Sequence, residues 1–172
     1  TEAQSKGVPR HHAHWIAGAE AVVECSDARD GDRMLCPFPI INVAAIGGLL
    51  LPWLLVKGVL VLHHPFDMQV FLAQIAREKI HYTIAPPAIL NGLLKNEAIL
   101  AATDIAALRT IGSGSAPLAP WMVRGFQEKY GITIVNIFGS NEGMSLISAA
   151  HDIPDPEERA QYFPRFGVEG FD

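Results

Sequence analysis

Short apolar runs and longer segments with helical spacing alternate along the chain. Apolar or β-branched runs predict strands at residues 33–36, 59–63, 82–85, 110–111 and 132–138. Apolar residues recur at helical spacing elsewhere and predict helices at residues 11–25, 40–56, 68–79, 88–95, 120–130 and within 153–163. This alternation is typical of an α/β fold, a parallel doubly wound sheet with helices on both faces.

Residues that cap helices support several of these boundaries. Asp67 is a plausible N-cap for the helix that follows it. Pro86 and Pro87 end a strand and open the next helix, and Pro120 opens another. Gly131 follows Tyr130 and is expected to close that helix as its C-cap.

The composition is that of a chain that forms a hydrophobic core. It has 172 residues, of which 49% are hydrophobic and 18% charged, so we expect one domain. The net charge is −5 with a pI of about 5.8, and no run of Lys or Arg occurs. A nucleic acid or an anionic membrane surface is therefore not expected as a partner.

The cysteines and the apolar stretches indicate in which cellular compartment the protein is expected. Cys25 and Cys36 are too few and too widely spaced for a disulfide framework, and we expect reduced thiols. The apolar stretch at 40–56 is shorter than the ~20 residues of a spanning helix and contains Gly and Pro, so we expect a buried helix. Residues 1–10 lack a secretory pattern. A cytoplasmic protein without a membrane span is expected.

Two groups of histidines raise the question of a metal site. His11, His12 and His14 would point to different faces near a helix start, and no carboxylate or Cys completes a set at ligand spacing. His63 and His64 lie at a strand exit and have no better partners. No metal site is expected at either group.

The most informative stretch, residues 136–143, follows the last predicted strand. Open α/β sheets bind ligands at the carboxyl ends of their strands. Gly139 and Gly143 allow tight turns, Phe138 offers an aromatic face, and Glu142 is an isolated carboxylate. This mixture suits a nucleotide with a divalent cation, although a glycine-rich strand exit with a solvated Glu142 is the plainer interpretation.

A second glycine-containing turn lies at residues 112–114. It contains Gly-x-Gly, but Pro117 stands where a dinucleotide fingerprint has its third glycine, and no acidic residue ends the next strand at 136–138. A serine elbow needs Gly-x-Ser-x-Gly with a downstream acid and histidine. The spacing around Ser113 breaks that pattern, and His151 is the only later histidine.

A third interpretation joins the two turns. Adjacent parallel strands would bring Gly114, Ser115, Ala116 and Pro117 beside Phe138, so that a flat base could lie between a backbone ledge and the aromatic ring. Stacking of a base on an aromatic side chain contributes on the order of 1–3 kcal/mol. Glu142 would then lie near the phosphates of the nucleotide.

Four motifs together resemble the large N-terminal domain of the adenylate-forming enzymes, which include acyl-CoA synthetases, the adenylation domains of peptide synthetases and luciferases. Residues 1–8, Thr-Glu-Ala-Gln-Ser-Lys-Gly-Val, resemble the second half of the family's Thr-Ser-Gly-Thr-Thr-Gly-x-Pro-Lys-Gly-Val phosphate loop. Residues 114–118 resemble Gly-Gly-Ala-Pro-Leu, and residues 138–142 resemble Tyr/Phe-Gly-x-Thr-Glu. Residues 39–42 fall where many members have Pro-Leu-Phe-His, and the order and spacing match along nearly the whole chain.

The resemblance implies a role for each matched residue. Asn141 would face the α-phosphate and Glu142 would bind Mg²⁺, while Thr1 and Lys6 would contact the pyrophosphate end of ATP. The residues that would hold the adenylate are Gly114, Ser115, Ala116, Pro117, Phe138, Gly139 and Ser140. The residues that would line the carboxylic acid pocket are Asn42, Val43, Ile46, Gly143 and Met144.

Some positions depart from the family pattern. Asn141 stands in place of the usual Thr, and Asn42 in place of a histidine that often gates the acyl pocket. Ala3 replaces a loop glycine, and Glu2 adds a negative charge beside the expected pyrophosphate site. The substrate of a relative therefore does not transfer to this chain.

The resemblance implies a carboxylate–CoA ligase that uses ATP, Mg²⁺ and CoA and forms an acyl-adenylate and then a thioester. Residues 1–172 would be part of the N-terminal AMP-binding domain, without the start of the phosphate loop and the C-terminal domain, and the fragment alone is expected to be inactive. Two alternatives stay open: a non-catalytic nucleotide-binding module and an adenylation domain that loads a carrier protein. Self-association into a homo-oligomer is also open.

Overall fold

A computed structural model of the protein describes residues 7–142 and 145–164. Within these residues the chain forms a six-stranded sheet in the order β2-β1-β3-β4-β5-β6. The strands are β1 (Arg33–Cys36), β2 (Val59–Leu62), β3 (Tyr82–Ile84), β4 (Thr110–Gly114), β5 (Thr133–Gly139) and β6 (Ser145–Ser148). The first five run parallel, and β6 pairs antiparallel with β5.

Helices connect the strands and cover both faces of the sheet. They are α1 (His12–Cys25), α2 (Val43–Ala45), α3 (Leu51–Val56), α4 (Met68–Arg77), α5 (Pro87–Lys95), α6 (Glu97–Ala101), α7 (Pro120–Tyr130) and α8 (Pro156–Gln161). A π-helical segment (Ile46–Leu50) joins α2 to α3 without a break. In the described part of the chain, none of the helices has the length and apolar character needed to cross a bilayer.

The core has two layers because neighbouring residues of each strand point to opposite faces. Leu35 packs with residues of α4 to α8 on one face of the sheet. Met34 and Cys36 pack on the other face with α1, α2, the π-helical segment and α3. The expected α/β architecture with helices on both faces is confirmed.

The helix caps agree with the sequence. The Asp67 side chain accepts a hydrogen bond from the Val70 amide at 2.9 Å, and Gly131 ends α7 with a left-handed φ of 67°. Pro87 and Pro120 occupy the first positions of α5 and α7. These helix ends can be predicted from the sequence because each cap depends only on its immediate neighbours.

The sheet is mostly parallel, as expected, and its one antiparallel strand among the described residues is an edge strand that the sequence did not predict. Strand β6 runs antiparallel to β5, with Phe138 opposite Leu146. Its four residues carry two serines, too short and polar a run to stand out as a strand. Strand β4 also runs on to Gly114 instead of ending at residue 111.

The helix expected over 40–56 starts later than its apolar pattern suggests. Asn42 caps it, because the side-chain oxygen of Asn42 accepts a hydrogen bond from the Ala44 amide at 2.8 Å. Pro52 lies in the first turn of α3, where it is tolerated. The start of this helix therefore depends on the polar Asn42 and not on the apolar residues before it.

Candidate functional site

The carboxyl ends of β4 and β5 lie side by side. Gly114 is in register with Ile137, and a Cβ atom at position 114 would lie 1.9 Å from the Ile137 main-chain oxygen. Only glycine fits there. Ser115 follows with a left-handed φ of 66°, which turns the chain at the end of β4.

The end of β5 presents different side chains to the two faces. The Asn136 side chain points to α8, since its Nδ2 atom donates to the main-chain oxygens of Arg159 and Ala160. Ile137 lines a cavity on the opposite face. Because strand residues alternate, Phe138 points to the same face as Asn136, where its side chain is 52% exposed.

A cavity of about 330 Å³ lies between α1, the π-helical segment and the strand ends. Its apolar wall is formed by Val22, Phe38, Ile84, Ile137 and Ile147, and glycines also line it. Polar groups also line it, and they are Arg10, His14, Asn42, Ser113, Ser115 and Ser140. A small apolar molecule with one polar end would match this lining.

A second cavity of about 270 Å³ adjoins the first. Arg10, Trp15 and Val43 line both cavities. The smaller cavity also includes Ile46 and Asn141. The two spaces therefore share a wall that lies beside the loop after β5.

Arg10 was not among the residues selected from the sequence, although it is the charged residue of this shared wall. Its Nε atom donates to the Asn141 oxygen and its Nη2 atom to the Ser140 oxygen, both at 3.1 Å. Its guanidinium lies over the Trp15 ring, 4.5 Å from the centroid. The ion pairs within the described residues do not include Arg10. A guanidinium has five N–H donors, more than these two hydrogen bonds use.

The structure brings several residues selected from the sequence to these cavities. The larger cavity is lined by Asn42, Val43, Gly114, Ser115, Gly139 and Ser140. Asn141 and Ile46 line the smaller one.

Other selected residues lie elsewhere. Ala116, Pro117, Phe138 and Glu142 line neither cavity. Four positions lie outside the described residues, and they are Thr1, Lys6, Gly143 and Met144.

Asn42 has a structural role as well as a place in the cavity. Its side-chain oxygen accepts the hydrogen bond that caps α2, and its amide NH₂ offers two further donors. Glu142 is exposed and, in the described part of the chain, belongs to no ion pair. A carboxylate that is not neutralised by a neighbour suits a hard cation such as Mg²⁺.

Comparison with known sequences finds one family model and several relatives. A sequence model described as "AMP-binding enzyme" matches residues 1–169. A probable CoA ligase, CCL5 of Humulus lupulus, is 28% identical over 85% of this chain and 27% of its own length. A feruloyl-CoA synthase of Amycolatopsis is 26% identical over 85% of this chain and 30% of its own length. The chain thus spans less than a third of these relatives.

Solved structures share the fold. The N-terminal domain of FACL13 from Mycobacterium tuberculosis superposes with a TM-score of 0.79 at 25% identity, covering 93% of this chain and 40% of that domain's chain. The amide bond synthetase McbA from Marinactinospora thermotolerans superposes with a TM-score of 0.76 at 26% identity, covering 90% of this chain and 31% of its own.

Proposed function

The chain belongs to the AMP-binding enzyme family, and we propose that it is the part of a carboxylate–CoA ligase that holds the adenylate and the acid. The observation that carries this proposal is the pairing of Gly114 with Ile137 at the rim of an apolar cavity. An acyl-adenylate requires a strand end without bulky side chains beside its base and an apolar pocket with few polar groups around its acyl part.

Adenine would lie against the main chain of residues 114–117 and stack on Phe138. Support comes from the bare backbone at Gly114 and from the exposed ring of Phe138 on the neighbouring strand. Phe138 and the cavity lie on opposite faces of β5. The base and the acyl group would therefore occupy different sides of the strand end, joined at the α-phosphate.

The acid would bind in the larger cavity with its carboxylate toward Arg10, Ser115 and Ser140. In the first step, a carboxylate oxygen attacks the α-phosphorus of ATP, the bond to the β-phosphate oxygen breaks, and pyrophosphate leaves. In the second step, the thiolate of CoA attacks the acyl carbon and AMP leaves. In both steps a negatively charged nucleophile approaches a negatively charged substrate. The positive charge of Arg10 would reduce the repulsion between them.

The residues present fit a magnesium ion at Glu142, whose carboxylate offers oxygen ligands. When bound, the ion would neutralise negative charge on the phosphates. Asn141 would contribute through its amide, which both donates and accepts. Arg10 would hold the main chain of this loop so that Asn141 and Glu142 keep their positions.

We propose an aromatic acid as the substrate class. The cavity of about 330 Å³ has aromatic walls from Trp15 and Phe38, and Gly47 and Gly48 line it without side chains of their own. A ring of the size of a phenylpropenoic acid fits such a slot. Relatives named feruloyl-CoA synthase and indoleacetate–CoA ligase are consistent with this class.

A second acceptor is favoured by one observation. The similarity to McbA, an amide bond synthetase, favours an amine as the alternative acceptor of the acyl group, in place of CoA. Loading of a carrier protein and a purely nucleotide-binding role are the remaining alternatives. The cytoplasm is the compartment we propose, and one relative is named as a peroxisomal ligase.

ATP–pyrophosphate exchange by the full-length protein tests the proposal. We expect exchange with ferulic, 4-coumaric or indoleacetic acid to exceed exchange with fatty acids and amino acids. Adding CoA should then consume free thiol in proportion to AMP released, whereas an amide synthetase would release AMP with an amine and leave the thiol intact. Tight ATP binding without exchange for any acid would favour the binding module and contradict the ligase.

A further inference from the structure

Three side chains that commonly bind metals meet away from the two cavities. Cys25 is the last residue of α1, and His151 and Asp152 lie between β6 and α8. The Cys25 sulfur, a ring nitrogen of His151 and a carboxylate oxygen of Asp152 all lie within 4.8 Å of one another. His151 Nε2 lies 3.5 Å from Asp152 Oδ2.

The segments that carry these side chains are held in place by hydrogen bonds. The Ile153 amide donates to the Ala149 oxygen at 3.0 Å, which closes the turn containing His151 and Asp152. The buried Arg159 donates from Nη1 to the oxygens of Ile153 and Pro154, at 2.8 and 3.1 Å. The cluster therefore needs little ordering to bind an ion.

The end of α1 is fixed in the same way. The Ser26 amide and its hydroxyl both donate to the Val22 oxygen, at 2.9 and 2.6 Å. Cys25 therefore sits beside a well-bonded helix end and is itself half-buried.

Negative charge concentrates at this place. The carboxylates of Asp152 and Glu24 both lie near enough to Cys25 to act on its thiol electrostatically. The Asp152 side chain is only 18% exposed, and its ion pair within the described residues is with His151. A divalent cation would neutralise this charge and stabilise the thiolate.

We propose that Cys25, His151 and Asp152 are the three protein ligands of a zinc ion. Sulfur, imidazole nitrogen and carboxylate oxygen are the donors that zinc takes, whereas Mg²⁺ prefers oxygen alone. Zinc bonds of about 2.0–2.3 Å place tetrahedral ligand atoms roughly 3.3–3.8 Å apart, so a closure of about 1 Å completes the site. The thiol releases its proton to solvent, and water takes the fourth position.

Such an ion would fasten the end of α1 to the loop between β6 and α8. Helix α1 also supplies Trp15, Gly18 and Val22 to the larger cavity. The zinc site would therefore stabilise the wall of that cavity without contacting a ligand inside it. Zinc binding at this place would be independent of the proposed ligase activity.

Cobalt substitution in the protein tests the site directly. Titration with Co²⁺ should produce a thiolate-to-cobalt charge-transfer band, and Zn²⁺ should abolish it by displacement. The Cys25→Ser variant should lose the band, and Asp152→Asn should weaken zinc binding at least about tenfold. The matched controls Cys36→Ala and His64→Gln should keep the band, because both residues lie outside the cluster.

The pH dependence provides a second measurement. Because the Cys25 thiol must lose its proton, zinc affinity should rise about tenfold per pH unit between pH 7 and 9. An unchanged cobalt spectrum in Cys25→Ser would overturn the proposal, as would wild-type zinc affinity no tighter than that of His151→Gln. If Cys25→Ser fails to fold, by circular dichroism, the Asp152→Asn result decides.

Discussion

Arg10 donates a hydrogen bond from Nε to the main-chain oxygen of Asn141, 131 positions further along the chain. A second bond, from Nη2 to the Ser140 oxygen, makes the contact bidentate. Arginine suits this role because its planar fork holds two acceptors at once. The contact ties the residues before α1 to the loop that carries Glu142, so it couples two parts of the proposed nucleotide site.

Replacing Arg10 should impair adenylation more than folding. In the full-length protein, Arg10→Leu should lower kcat/KM by about 10- to 150-fold, since a hydrogen bond to a charged group contributes about 1.5–3 kcal/mol. Arg10→Lys should recover only part of this, because lysine lacks the fork. Pyrophosphate exchange is the measurement. Arg29→Leu, at an exposed ion pair, is the control, and equal activity of all three variants would remove Arg10 from the site.

Gly114→Ala should disturb the strand ends on which the adenylate would rest. The new Cβ would lie 1.9 Å from the Ile137 oxygen, a main-chain atom that cannot move alone. We expect a loss of about 1–3 kcal/mol in unfolding free energy, measured by urea denaturation, together with weaker ATP binding. Gly92→Ala, in α5 with open space around it, should be neutral or stabilising. Wild-type stability of Gly114→Ala would show that this contact relaxes freely.

Arg159 is a fully buried arginine that is bonded to main-chain oxygens and to Gln127. Burial lowers its pKa. Arg159→Met should cost at least about 1–3 kcal/mol of unfolding free energy, because it leaves buried carbonyl oxygens such as that of Ile134 without donors. Arg124→Met, at an exposed ion pair with Glu157, should change stability by less than about 0.5 kcal/mol. Similar urea midpoints for the two variants would contradict this assignment.

The sequence predicts much of the fold because its signals are local. Asp67, Pro120 and Gly131 mark helix ends through contacts with their own neighbours. Strand alternation also assigns Phe138 and Ile137 to opposite faces once β5 is known. The motifs that resemble the family predict a set of site residues, and six of those residues line the larger cavity.

Long-range contacts explain what the sequence does not reveal. The residues next to Arg10 in the sequence do not distinguish it from an ordinary surface arginine. The main-chain oxygens that accept its hydrogen bonds lie 130 and 131 positions away. Cys25 and the pair His151–Asp152 likewise become neighbours only through the packing of α1 against β6. Strand β6 was missed because its stability comes from pairing with β5 and not from its own pattern.

Glu142→Gln should weaken metal-dependent adenylation while leaving the fold intact. Glutamine keeps the shape but removes the negative charge that a cation needs, and an exposed loop residue contributes little to packing. We expect the Mg²⁺ concentration for half-maximal pyrophosphate exchange to rise about tenfold or more in the full-length protein. Glu128→Gln, an exposed residue of α7, is the control. An unchanged magnesium dependence would place the metal elsewhere.

Phe138→Ala should raise the KM for ATP and leave the KM for the acid nearly unchanged, because Phe138 and the cavity lie on opposite faces of β5. Loss of stacking worth about 1–3 kcal/mol corresponds to an increase of about 5- to 150-fold. Phe138→Tyr should retain the wild-type KM, since the ring is kept. Tyr162→Ala, another exposed aromatic residue, serves as the control. Steady-state kinetics with each substrate varied in turn separate the cases, and an effect confined to the acid would place the acyl group, not adenine, at this ring.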